Sequence, residues 1–129
     1  MHPNGKFVYQ ANRASDVTNF EGNSVFAGGE NNIAVYAFNQ DTGEPVLIQN
    51  IDTRGLHPRT FALDAGGRMV VVGNQMSLLA REGSRVTRIP ANLAVYRVGG
   101  DGKLNFIRKY DVESGGGKTL MWVGLVALP

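Results

Sequence analysis

Near the end of the chain three glycines, Gly115 to Gly117, run into Lys118 and Thr119. Gly-Lys-Thr closes a phosphate-binding loop, where backbone N–H groups and the lysine surround phosphate oxygens. That loop also needs a glycine five residues before its last one, and Val112 stands there. The residues after Lys118 read as a strand rather than a helix. The spacing therefore argues against a nucleotide loop and leaves Lys118 as an isolated cation.

Other residues offer different chemistry. A near-neutral His57 could activate water or carry a proton. Arg59, two residues on, could stabilise an oxyanion. These two are the expected catalytic residues. Arg13, Asn74, Gln75, Arg81, Arg85 and Lys118 are the expected substrate-binding residues. Between Met76 and Ala91 stand Arg81, Arg85 and Arg88 against Glu82, a local net charge of +2 that equals the excess of the whole chain. Such a rim attracts anions. Structural roles stand beside these. Arg59 could cap a strand, and His57, before Pro58, could shape a turn. Asn74 recurs as Asn12, which favours a structural bond. Trp122 is expected in a core.

The elements that must position these residues come from a repeat. "NIAVYAF" begins at Asn32 and "NLAVYRV" at Asn92, an offset of 60. Each runs into an Asp-Gly turn and a second strand, "PVLIQNID" and "LNFIRKYD". "HPNGKFVYQANR" (His2 to Arg13) matches "DAGGRMVVVGNQ" (Asp64 to Gln75). "LHPRTFAL" (Leu56 to Leu63) falls on "GGGKTLMW" (Gly115 to Trp122), pairing Arg59 with Lys118. The unit is a four-stranded antiparallel meander, with strands over 59–63, 69–74, 92–98 and 104–112. The third strand is apolar at nearly every position, as in sheets stacked face to face. Stacked four-stranded sheets make a β-propeller. The expected fold is thus all-β, a partial propeller of two blades. Strands of the first blade lie within 7–52, the second blade within 59–112, and a final inner strand within 119–128. In a meander, Arg13, His57, Arg59, Asn74, Gln75 and Lys118 gather at one end of the sheets, with the long connections 14–31 and 76–91.

Composition bounds the remainder. At 129 residues the chain suits one domain. Cysteine is absent, which excludes disulfides and thiolate metal sites, and two histidines make a multi-histidine site improbable. No cofactor is expected. The aromatic residues lie on strands rather than within a basic stripe, so no nucleic-acid partner is expected. No apolar run is long enough to span a bilayer, so no membrane partner is expected. Without a signal-peptide pattern the expected compartment is the cytoplasm, with the periplasm as the alternative for an N-terminally shortened chain.

The two copies, with "G-x-x-P-R-x-x-x-x-D-x-x-G-R" from Gly55 to Arg68, resemble the lactonase-type β-propellers. That family includes propeller-type 6-phosphogluconolactonases and 3-carboxymuconate cyclases. The resemblance implies a seven-bladed ring and metal-free chemistry on a lactone or unsaturated polycarboxylate. It also implies arginines, a histidine and a glutamate at one end of the channel. Arg59 matches the family's arginine after proline. Gln75 stands where many members carry glutamate. The expected ligand is an anionic small molecule. A non-catalytic propeller fragment, or an assembly or ligand-binding module, is the alternative. Two blades fall short of a ring, so a homo-oligomer is expected, with Thr119 to Leu128 of one copy completing the sheet begun by Phe7 to Asn12 of the next.

Overall fold

A computed structural model describes residues 1–113, 115 and 118–129. Gly116 and Gly117 of the expected glycine loop lie outside the described residues. The described elements are all strands: β1 (Phe7–Asn12), β2 (Val17–Phe20), β3 (Asn23–Phe26), β4 (Asn32–Phe38), β5 (Pro45–Asp52), β6 (Leu56–Leu63), β7 (Met69–Met76), β8 (Leu78–Glu82), β9 (Arg85–Ile89), β10 (Asn92–Val98) and β11 (Leu104–Asp111). The first sheet has the order β1-β4-β5 and the second β11-β10-β7-β6. All pairings within these two sheets are antiparallel. They are the two repeats, and the register shows it in detail. The outer pair of each sheet slips at the same place, between Val35 and Tyr36 in the first and between Val95 and Tyr96 in the second. A bulge kept at the repeat offset is a feature of the unit rather than a local defect.

Turn chemistry fixes the meander. Asn39 Oδ1 accepts the N–H groups of Asp41 (2.9 Å) and Thr42 (3.1 Å), closing the β4–β5 turn. Asp64 Oδ1 accepts those of Arg68 (2.6 Å) and Met69 (2.7 Å) between β6 and β7. These are short side-chain-to-backbone bonds of the kind that make Asn and Asp turn residues.

The blades pack face to face. Ile33 and Val35 of β4, Tyr9 of β1, Val70 and Val72 of β7, Ala94 and Tyr96 of β10, and Leu104 form one buried cluster. The polar atoms that burial would strand are paired across the blades. Tyr9 Oη donates to the Gly102 carbonyl (2.9 Å) and Tyr96 Oη to the Asp52 carbonyl (2.8 Å). The Gln49 amide donates to the Leu104 carbonyl and accepts from its N–H. Gly102 is held at φ 79°, and a Cβ there would fall 2.4 Å from the Phe7 ring, so only glycine serves this turn.

One expectation is corrected. The long connections 14–31 and 76–91 are not simple loops: they hold the hairpins β2–β3 and β8–β9, which join in a third four-stranded sheet, β2-β3-β8-β9. The link is one parallel bridge, Val25 to Leu79. Glu21 (φ 48°) and Gly22 (φ 80°) make the two-residue turn of the first hairpin. Positive φ at both positions gives the twist that two-residue hairpins prefer. This sheet, the canopy, links the connection of one blade to that of the other. The segment 119–128, whose expected partner is a strand of a second copy, joins no strand ladder of its own chain among the described residues. It lies against β6 and β7 through Leu120 N–H to the Gln75 carbonyl and Val123 N–H to Thr60 Oγ1, both 3.4 Å. Trp122, expected in a core, is 79% exposed.

Candidate functional site

The site begins at the β5–β6 corner, Thr53 to Gly55. The buried Thr53 donates its N–H (3.1 Å) and Oγ1 (2.9 Å) to the Asn31 carbonyl. Asn74 Nδ2 donates to the Thr53 carbonyl (2.6 Å) and to Asn92 Oδ1 (2.8 Å). Asn92 Nδ2 donates to the Arg54 carbonyl (3.0 Å). The two asparagines thus clamp the corner of one blade onto the strands of the next. Gly55 lets it approach, since a Cβ there would fall 2.6 Å from Asn92 Nδ2 and 2.7 Å from Asn74 Cβ. Asn74 is fully buried in this clamp. It is a structural residue, not the ligand-binding one expected. The first blade carries the same pair, Asn12 Nδ2 to Asn32 Oδ1 at 2.8 Å.

Beyond the corner the chain turns into His57. The residue sits at φ 57°, in the left-handed region that L side chains avoid. Its N–H donates to Asn31 Oδ1 (2.8 Å), which also accepts the Ala14 N–H (3.1 Å). Asn31 therefore ties the residue after Arg13 to the residue two before Arg59. Burial, then the charges of Arg13 and Arg59, push His57 below the ordinary histidine value of 6.5. Both effects disfavour the imidazolium, so the ring is a neutral base at pH 7. Its Nδ1 is buried and has no hydrogen-bond partner among the described residues, as does Asn31 Nδ2. Arg13 and Arg59 are exposed. Among the described residues neither forms an ion pair; the ion pairs there belong to Arg54, Arg68 and Lys109. Arg13 and Arg59 thus lie near enough to His57 for their charges to act on its ring.

The other expected residues go elsewhere. Gln75 Nε2 donates to Thr119 Oγ1 (3.1 Å) and Met121 Sδ (3.4 Å), so it holds the final segment. Lys118 is exposed just before that contact. The Arg81 guanidinium lies 3.8 Å from the Phe20 ring centroid and bonds the Gly83 carbonyl. It lines a cleft of about 560 Å³ in the canopy, with Thr18, Asn19 and Phe26. Arg85 opens β9 and pairs in register with Glu82. Arg88 Nη1 donates to Ser77 Oγ (3.2 Å) beside a second cleft. These three arginines belong to the canopy sheet, not to the His57 group. Among the described residues no three His, Asp or Glu side chains converge on a possible metal position.

Sequence reading passed over Asn31. Its position in the second repeat is Ala91, and that contrast was the available signal.

Two radially stackable β-meanders with a shared clamp and a cationic end define a partial β-propeller. The family model "Lactonase, 7-bladed beta-propeller" matches residues 1–85. The chain belongs to this family. Over 77 residues, 60% of the chain, it is 34% identical to a 6-phosphogluconolactonase of Formosa agariphila. Over 97 residues, 70% of the chain, it is 31% identical to a 6-phosphogluconolactonase of Bacillus subtilis. These matches span 18% and 24% of the relatives' own lengths. No solved structure matches significantly.

Proposed function

We propose that the chain carries part of the active site of a sugar-lactone hydrolase acting on an anionic lactone of the 6-phosphogluconolactone class. The supporting observation is His57, shifted below its ordinary value by burial and by the nearby charges of Arg13 and Arg59. Family membership and the printed names of the two relatives favour the same substrate class. Lactone hydrolysis requires these parts. Water adds to the lactone carbonyl carbon while the imidazole accepts its proton, most directly at Nε2, the nitrogen left open by the burial of Nδ1. The carbonyl oxygen becomes an oxyanion, which a guanidinium stabilises. The ring C–O bond then breaks, the carbonyl reforms as a carboxylic acid, and the departing alkoxide takes the proton from the imidazolium. The acid ionises in solution. The second guanidinium is free for the substrate's own phosphate or carboxylate.

The test is hydrolysis of 6-phosphoglucono-δ-lactone by the purified chain, measured above the spontaneous rate in buffer. Acceleration that falls by about 10²- to 10⁴-fold in His57→Gln fits general-base catalysis. No acceleration, or acceleration untouched by His57→Gln, overturns the proposal.

A further inference from the structure

We infer that the Asn31 side chain positions His57 and presents its Nδ2 amide as a hydrogen-bond donor to a ligand oxygen in this site. The repeat supplies the control. In the first blade the corner residue Thr53 donates its N–H to the Asn31 carbonyl (3.1 Å); in the second, Val112 donates to the Ala91 carbonyl (2.8 Å). Both positions are buried, Ala91 fully and Asn31 at 8% exposure. The corner is therefore built by the backbone carbonyl alone, and a methyl group suffices for the side chain. A carboxamide in the first blade needs another reason.

Half of that reason is visible. Asn31 Oδ1 receives the N–H groups of His57 and Ala14. The His57 bond fixes a backbone conformation that glycine adopts freely and histidine does not. At the repeat offset His57 aligns with Gly116 in the sequence. The first repeat thus substitutes an imidazole for glycine and an amide for a methyl group, and the two substitutions bond to each other. Strained backbone held by its surroundings is a mark of functional sites.

The other half is the donor. Asn31 Nδ2 is buried without a partner among the described residues, in a structure whose neighbouring asparagines Asn12 and Asn92 place their amide donors on oxygens. Buried donors are nearly always matched. The missing partner is an acceptor oxygen beside His57 and two guanidinium groups. A neutral amide aimed at an oxygen that gains charge is the usual form of oxyanion stabilisation. Assigning that oxygen to a lactone carbonyl rests on the hydrolysis proposed above; the positioning of His57 does not.

The experiment compares wild type with Asn31→Ala, which installs the residue of the second repeat, and Asn31→Asp, which keeps the Oδ1 acceptor but removes the donor. His57 is titrated by NMR, 6-phosphogluconate binding is measured by calorimetry, and lactone turnover is followed alongside. Asn31→Asp is expected to raise the His57 pKa, because it adds a neighbouring carboxylate, and to weaken 6-phosphogluconate binding. Asn31→Ala is expected to shift the His57 ring resonances and to cut turnover by about 10²- to 10³-fold, as loss of one oxyanion donor does. If turnover responds to His57→Gln but neither Asn31 variant moves the titration or the binding, this inference fails and the hydrolysis reading stands. If wild type shows no turnover yet both Asn31 variants move the His57 titration, the hydrolysis reading fails and the positioning role stands.

Discussion

His57 carries its proton weakly for two separable reasons. Burial withdraws water from the ring, and Arg13 and Arg59 repel the imidazolium. Both depress the folded-state pKa, so the neutral ring belongs to the native protein and the unfolded chain takes up the proton first. Stability held above the ordinary value of 6.5 is therefore lost as pH falls through it toward the folded value. Denaturation midpoints measured from pH 7.5 down to 4.5 should show this acid limb, and His57→Gln should flatten it; an unchanged limb would remove His57 as its cause. At this scale the sequence was half legible. Arginine, histidine and the strand ends pointed to Arg13, His57 and Arg59, and the structure sets the two arginine charges close enough to act on the histidine ring. Asn74 stood among the substrate-binding residues although its recurrence as Asn12 favoured a structural bond, and its amide faces the neighbouring corner. Gln75 was misassigned because its partners, Thr119 and Met121, come from a segment 44 and 46 residues away.

The strands of both blades followed from alternating and fully apolar runs, because a buried β-strand writes its environment into each residue. The canopy did not follow. Its hairpins are only four or five residues per strand, and its one inter-hairpin link is the parallel bridge between Val25 and Leu79. Nothing in local sequence encodes a bridge between two connections. The clamp between blades is more sharply testable. Asn74→Ala removes the donor to both the Thr53 carbonyl and Asn92 Oδ1. Leaving buried partners unsatisfied costs about 1–3 kcal/mol each. Urea denaturation should show a loss of at least about 1 kcal/mol, and a midpoint equal to wild type would contradict the clamp. Gly55→Ala should be destabilising too, because its Cβ meets Asn74 and Asn92 at under 3 Å. Circular dichroism melting would detect this.

Across the whole molecule, the two blades are joined by a buried cluster that includes Tyr9 and Tyr96. Tyr9, 6% exposed, has its phenol pushed up to about 12 by burial and by Asp101. Here the unfolded chain loses its proton first, so stability falls as pH rises from 10 toward 12. Tyr9→Phe should flatten that alkaline limb in a pH series of melting curves; an identical limb would show that Tyr9 does not contribute to it. Molecular scale is also where sequence reading met its boundary. The repeat made the propeller unit plain, whereas the segment 119–128 was expected to pair with a second copy, a partner that lies beyond a single chain.

The central claim is that Arg13, His57 and Arg59 hold one anionic ligand between them. Its most direct measurement is the NMR titration of His57 with and without saturating 6-phosphogluconate. An anion between the two guanidinium groups offsets the charges that lower the imidazole pKa. The account predicts that bound 6-phosphogluconate raises the His57 pKa toward 6.5, and that Arg59→Ala weakens this response. A His57 titration that does not move at any ligand concentration would contradict it.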